Sequence, residues 1–206
     1  MDSGTWALGL GYDYLAHCFL EGPLRLSEHL RTPWLQGLSR LDEGISSDVA
    51  ALLGCLDDAE DLEVANRDFN NCMVIPVPGC FVPPYASVFL DPSKTIWGAA
   101  TSQVLSWYNQ AGLDWTGQSS KYPWLRAPDY IGVEFAFVAE LLSDENVGSD
   151  TEIDASLMAT LQHMRDWVPK YASEMEQHVT AIYWQKMGEV LNSWVRIDPF
   201  AELHLG

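Results

Sequence analysis

Pro128-Asp129-Tyr130-Ile131-Gly132-Val133-Glu134-Phe135-Ala136-Phe137-Val138-Ala139-Glu140-Leu141-Leu142 carries the helical period that the rest of the chain repeats. Ile131, Phe135, Val138 and Leu142 recur at helical spacing and share one face, and no strand-like alternation runs through the segment. A proline in a first turn has no intrahelical N–H bond to lose, so Pro128-Asp129 opens the helix. The same period continues outward on both sides. Upstream, Trp6, Leu10, Tyr14 and Cys18 form one apolar face that Gly22-Pro23 terminates. Ser27 caps a short helix, and Pro33 restarts it toward Leu38 and Leu41. Val49, Leu52, Leu53 and Leu56 fall in phase behind a cap at Ser46 or Ser47. Trp97, Ala100, Val104, Trp107 and Tyr108 turn inward on a helix over 96–111, with Gly112 as its stop. Downstream, Ile153, Leu157, Leu161 and Met164 continue from Asp150. Pro169 bends or breaks that helix, and two further helices follow over 170–179 and 181–195. The expectation is an all-α fold, a single domain over residues 1–206, with roughly eight or more helices.

Composition narrows the function classes. Hydrophobic residues make up 48% of the 206-residue chain, enough for a substantial core. The 29 acidic residues against 11 basic ones give a net charge of −18, shared evenly between the two halves. Nucleic acid and anionic membrane surfaces are disfavoured, because both need a basic footprint. A basic peptide is favoured by long-range attraction. Cys18, Cys55, Cys72 and Cys80 form no CxxC pair and read as reduced thiols of a cytoplasmic protein. The start of the chain carries no basic region of a signal peptide. The uncharged run Phe69–Leu90 contains Pro76, Pro78, Pro83 and Pro84, so it does not read as a membrane helix.

Few residues are arranged for catalysis. Asp57-Asp58-Ala59-Glu60-Asp61 matches a DDxxD pattern, the device by which helical enzymes hold Mg²⁺ on a diphosphate. No second metal motif accompanies it, and a solvated acidic turn is the simpler reading. The histidines show no HxxxH or HExxH spacing, and no phosphate-binding glycine motif is present. Asp129 and Glu134 diverge by roughly 140° on a helix, which does not support a paired-carboxylate mechanism. No metal, cofactor or catalytic residue is assigned. Aromatic residues, at 12%, are the more informative excess. Val82–Asp91 packs aromatics and prolines into a loop-to-helix junction, and a rigid, aromatic, proline-lined loop suits a peptide groove.

Pro83-Pro84-Tyr85-Ala86-Ser87-Val88-Phe89-Leu90-Asp91 resembles the P-P-[YW]-x-S-V-[YFW]-L-D segment of the TorD/DmsD family of cytoplasmic molybdoenzyme maturation chaperones. Phe69-Asn70-Asn71-Cys72-Met73-Val74-Ile75-Pro76 resembles the stretch just upstream in that family, and Pro128–Phe137 resembles its E-x-D-H-x-x-x-E-L-x-F-M helix start. Trp167-Val168-Pro169-Lys170-Tyr171 and the Ile182-Tyr183 region resemble later motifs, in the same order. Tyr130 stands where the family usually has His, Asn71 where it has Arg, and Ala127 where it has an acid.

The resemblance implies a binding module rather than an enzyme. Its partner would be the catalytic subunit of a molybdopterin oxidoreductase, held by a twin-arginine leader until cofactor insertion and then released for export. Arginines seek carboxylates in bidentate geometry, and the apolar part of a leader seeks aromatic walls. On this reading Asp129 is the arginine partner, and Tyr85, Phe89 and Tyr130 are groove walls. Pro83, Pro84 and Ser87 shape the loop, with Ser87 capping a helix, and Asp91 recognises peptide or caps locally. Pro128 and Glu134 complete the peptide-binding set. The chain is expected as a monomer or a helix-swapped dimer, without membrane insertion. Alternatives are a chaperone of a non-exported nitrate-reductase-type subunit, an Mg²⁺-dependent helical enzyme using Asp57, Asp58 and Asp61, and a purely structural subunit of a complex.

Overall fold

The computed structural model describes residues 3–25, 28–37 and 42–200, with no side-chain description for residues 3–4 and 28–30. The expected Ser27 cap and the Leu38 and Leu41 positions lie outside the described residues. Ten α-helices follow one another: α1 (Ser3–Glu21), α2 (Glu28–Gly37), α3 (Glu43–Gly54), α4 (Ala59–Asp68), α5 (Ala86–Leu90), α6 (Ala99–Gln110), α7 (Thr116–Lys121), α8 (Ile131–Ser143), α9 (Thr151–Met175) and α10 (Ile182–Trp194). A π-helical segment, Phe69–Val74, extends α4. Among the described residues the only β structure is an isolated antiparallel bridge between Tyr85 and Tyr130. The fold is all-α, as the periodicity predicts.

Local chemistry sets the helix ends. Gly22 takes φ +79°, and the Phe69 ring lies 2.8 Å from where a side-chain carbon would stand, so α1 stops there. Gly112, at φ +72°, closes α6. Its N–H bonds Asn109 O and the next N–H, Leu113, bonds Tyr108 O, the two bonds of a Schellman motif. Asp58 and Asp150 cap α4 and α9 through carboxylate bonds to the second and third residues of each helix.

Four boundaries differ from expectation. α3 starts at Glu43, because Asp42 accepts the Gly44 N–H at 2.8 Å and caps ahead of Ser46 and Ser47. α8 starts at Ile131 rather than Pro128, because the bridge holds Tyr130 extended. Pro169 lies within α9 and does not end it: Trp167, Val168, Tyr171 and Ala172, on both sides of it, are all buried. That burial outweighs the ~3 kcal/mol a proline costs inside a helix. Trp97 precedes α6 instead of lying on its inner face, and is 58% exposed.

Packing centres on α1 and α8, which run antiparallel in close contact. Gly9 faces Leu142 at one end, and Gly132 faces Phe19 and Leu20 at the other. Phe19 meets Phe135, Tyr171 and Trp184 with ring centroids 5.3–6.0 Å apart, and Tyr12, Trp34 and Trp194 continue the aromatic core toward α2 and α10. Burying each such ring stabilises the fold by roughly 1.5–3 kcal/mol relative to exposure.

α10 has no capping side chain of its own, since Ala181 occupies that position. Its amides are held from outside. Asp68 accepts from Thr180 N at 2.6 Å and Ala181 N at 2.8 Å, and Asp61 accepts from Ile182 N at 2.8 Å and Tyr183 N at 2.9 Å. The two acids lie two turns apart on one face of α4, so one helix caps another. Asp68 is buried and Asp61 half-buried. Asp68→Ala is therefore expected to lower unfolding free energy by about 2–3 kcal/mol and Asp61→Ala by about 1 kcal/mol. Urea denaturation checks this: the midpoint falls while the slope stays constant.

Candidate functional site

The bridge brings the two distant proline-containing segments together. Ala86 N–H donates to Asp129 O and Ile131 N–H to Pro84 O, both at 2.9 Å. Asp129 Oδ2 then accepts the Ser87 N–H at 2.8 Å, so the carboxylate of one segment caps the short helix α5 of the other. The Ser87 hydroxyl does not cap; its N–H is the group being capped. Tyr85 and Tyr130 stack edge to face at 5.2 Å, Tyr85 Oη accepts the Arg126 N–H, and Tyr130 Oη donates to Phe19 O at 2.6 Å, which ties the bridge to α1. Tyr108 Oη donates to Pro128 O.

The residues expected to recognise peptide thus meet in space, but most are enclosed. Pro84, Tyr85, Ser87, Pro128, Asp129, Tyr130 and Glu134 are buried, with Asp129, Tyr130 and Glu134 at 0% exposure. Pro83, Phe89 and Asp91 are half-buried. Phe89 stacks on Trp167 at 6.0 Å and meets Tyr171 edge-on. Asp91 Oδ2 lies 3.4 Å from the Ala100 N–H at the start of α6, a local cap. Asp129 Oδ1 has no hydrogen-bond partner among the described residues.

Open surface lies on the other side of α8. A groove of about 500 Å³ runs between α1, α8 and the α6–α7 segment. Trp6 and Leu10 from α1, Val133, Ala136 and Phe137 from α8, and Leu113 and Trp115 from the α6–α7 connection give it apolar walls. Three carboxylates, Asp13, Asp114 and Glu140, also line it. Of its two bases, Lys121 is paired to Glu21 at 2.9 Å and His17 bonds Asp13 O at 2.9 Å. The walls suit apolar side chains and the carboxylates suit cations, a combination that fits a peptide carrying both. The sequence signal for this groove is that α8 is apolar on nearly all sides. Its Ile131–Phe135–Val138 face fills the core, while half-buried Ala136 and the buried side chains of Val133 and Phe137 form the floor of the groove.

The acids around residue 57 are dispersed. Asp57 forms a bidentate pair with Arg31 at 2.8 and 2.9 Å, Asp58 caps α4, and Asp61 holds the start of α10. Each carboxylate serves a different partner, so they do not converge on a metal, and no cluster of metal ligands is formed among the described residues. The turn is solvated, as expected, with residues 57–60 exposed, and its acids in addition join α2, α4 and α10.

Glu134 projects into the core. Its Oε1 lies 3.3 Å from His163 Nε2, and its Oε2 accepts the Trp167 Nε1–H at 3.2 Å. Burial pushes the Glu134 carboxyl above its ordinary 4.5, against the pull of His163. Burial pulls His163 down, but the Glu134 charge and hydrogen bond outweigh it and leave the imidazole above its ordinary 6.5. Both groups therefore hold more protons in the folded than in the unfolded chain. The stability they contribute is fully present below about pH 4.5 and is lost as pH rises past 6.5 through the raised folded value of His163. The prediction is a wild-type urea midpoint that falls from pH 5.5 to 8 more steeply than that of Glu134→Gln. Equal slopes would refute the assignment.

The sequence matches the family model described as nitrate reductase delta subunit over residues 38–173, more than half of the chain. No curated protein matches it. The matched range holds the bridge, all of α8 and the α6–α7 wall of the groove. The chain belongs to the nitrate reductase delta subunit family, the NarJ/TorD-type molybdoenzyme maturation chaperones.

Proposed function

We propose that the chain binds the N-terminal leader of a molybdopterin oxidoreductase catalytic subunit and holds the apo-subunit until its cofactor is inserted. The groove between α1, α6–α7 and α8 receives the peptide, the apolar part against Trp6, Leu10 and Ala136, and the arginines toward the carboxylates. The observation that carries this reading is the conjunction of an open apolar groove with three lining acids in a family of molybdoenzyme chaperones. A net charge of −18 adds long-range attraction for a basic peptide.

The bridge residues serve the groove from beneath. Pro83, Pro84, Tyr85, Ser87 and Asp129 fix where α8 begins, Pro128 and Tyr130 anchor it to α6 and α1, and Glu134 ties it to α9. Phe89 and Asp91 carry the bridge on to α9 and α6. Direct contact between Asp129 and a leader arginine would require the bridge to open and bring the buried, unpartnered Oδ1 to the surface. No described helix is long and apolar enough to cross a membrane, which accords with a chaperone that meets its client away from the bilayer. Twin-arginine export of the client separates this reading from its nearest alternative, a non-exported nitrate-reductase-type subunit.

Calorimetric titration with a twin-arginine leader peptide from a molybdopterin oxidoreductase of the same cell tests the proposal. The wild-type protein is expected to bind, and Ala136→Trp, which fills the groove from a half-buried position, to lose at least about tenfold in affinity with unchanged far-UV circular dichroism. Absence of wild-type binding, with co-purification of an apo-subunit that lacks a leader, would favour the non-exported client.

A further inference from the structure

Trp97 is the least ordinary residue of the surface. It is 58% exposed, and its backbone takes φ +72°, a left-handed conformation that disfavours bulky side chains. Such a conformation persists only where its surroundings impose it. Burial does not account for it, since more than half of the side chain faces solvent. What the conformation achieves is position: the Trp97 ring stands edge to face with Trp115 at 6.1 Å, the rings inclined by 68°. Trp115 is itself a wall of the groove, and the preceding residue, Asp114, lines the same end.

The Asp114 carboxylate accepts the Thr116 N–H at 2.9 Å and the Thr116 hydroxyl. These bonds fix its orientation while leaving it exposed, and they hold its carboxyl below the usual carboxylate range. It still has lone pairs to offer a second donor. Lys121, the lysine of the groove lining, is already paired with Glu21.

The geometry points to a guanidinium subsite at the α6–α7 end of the groove, in which the Trp97–Trp115 pair supplies aromatic faces and Asp114 the counter-charge. A planar guanidinium can stack on indole and bond a carboxylate at once, whereas an ammonium is a hydrated point charge that gains less from both. The subsite therefore discriminates arginine from lysine and not merely cation from neutral. This inference rests on the leader-binding reading and deepens it: it assigns the arginines to one end of the groove and leaves the apolar segment to the α1–α8 walls.

The test uses the full chain and three versions of one leader peptide, with Arg-Arg, Lys-Lys or Ala-Ala at the paired position, plus a tetra-arginine peptide. Wild type is expected to bind Arg-Arg about tenfold more tightly than Ala-Ala, with Lys-Lys between them. Trp97→Ala, at an exposed position outside the core, is expected to lose about five- to tenfold for Arg-Arg and for tetra-arginine while its affinity for Ala-Ala is unchanged. Asp114→Asn, which keeps an acceptor for Thr116, is expected to reduce the Arg-Arg preference similarly. If wild type binds the leader but both variants keep the full preference, or lose affinity for Arg-Arg and Ala-Ala equally, the subsite is wrong and the leader reading survives. If wild type binds no leader but binds tetra-arginine in a Trp97-dependent way, the leader reading falls and the subsite stands. If it binds neither, both fall.

Discussion

The hydrogen bonds exchanged between residues 84–87 and 129–131 are the constraint on which the rest depends. Two backbone bonds and one carboxylate bond join segments far apart in sequence. They fix the residue at which α8 starts, and on a helix of 3.6 residues per turn the start fixes which side chains face which neighbour. With Ile131 first, Ile131, Phe135 and Val138 enter the core, Glu134 reaches His163 and Trp167, and Val133, Ala136 and Phe137 turn to the groove. A shift of one residue rotates these assignments by about 100° and places the Glu134 carboxylate among apolar side chains without its partners. The enclosed bridge and the open groove are two consequences of the same register.

The acids have divided roles. Asp42, Asp58 and Asp150 cap the helices they precede, while Asp61, Asp68, Asp91 and Asp129 bond amides at the starts of helices elsewhere in the chain. Seven of the 29 acids therefore sit at positive helix ends and hold the fold together. The acids lining the groove are few, and in the proposed role they recognise the client while the remainder supply attraction over longer distances.

Helical class, most of the core and the terminators Gly22 and Gly112 were legible in the sequence because each rests on a local rule: a period, or a left-handed residue at a helix end. The two proline-containing segments at 83–91 and 128–137 stood out for another reason, their resemblance to motifs of a known family, and the first also for its proline and aromatic content. What they do was not. Nothing in the local pattern says that Asp129 would cap a helix begun at residue 86, that Asp61 and Asp68 would cap α10, or that Glu134 would find His163, since each pairing is made by tertiary packing. Pro169 and Trp97 misled in opposite ways. Burial on both sides carried a helix through Pro169, and a left-handed backbone turned Trp97 outward where spacing placed it inward. The groove escaped notice because α8 reads as simply apolar, and only the arrangement of its neighbours shows which of its faces stays uncovered.

We propose that the groove between α1, α8 and the α6–α7 segment, and not the bridge beneath it, receives the client peptide. Amide chemical-shift mapping of the labelled chain, titrated with a twin-arginine leader peptide, tests this most directly. The largest shifts are expected at Trp6, Leu10, Trp115, Ala136 and Phe137, with the 57–61 turn unmoved. Shifts confined to residues 83–91, or to the surface around Asp57 and Arg31, would contradict it.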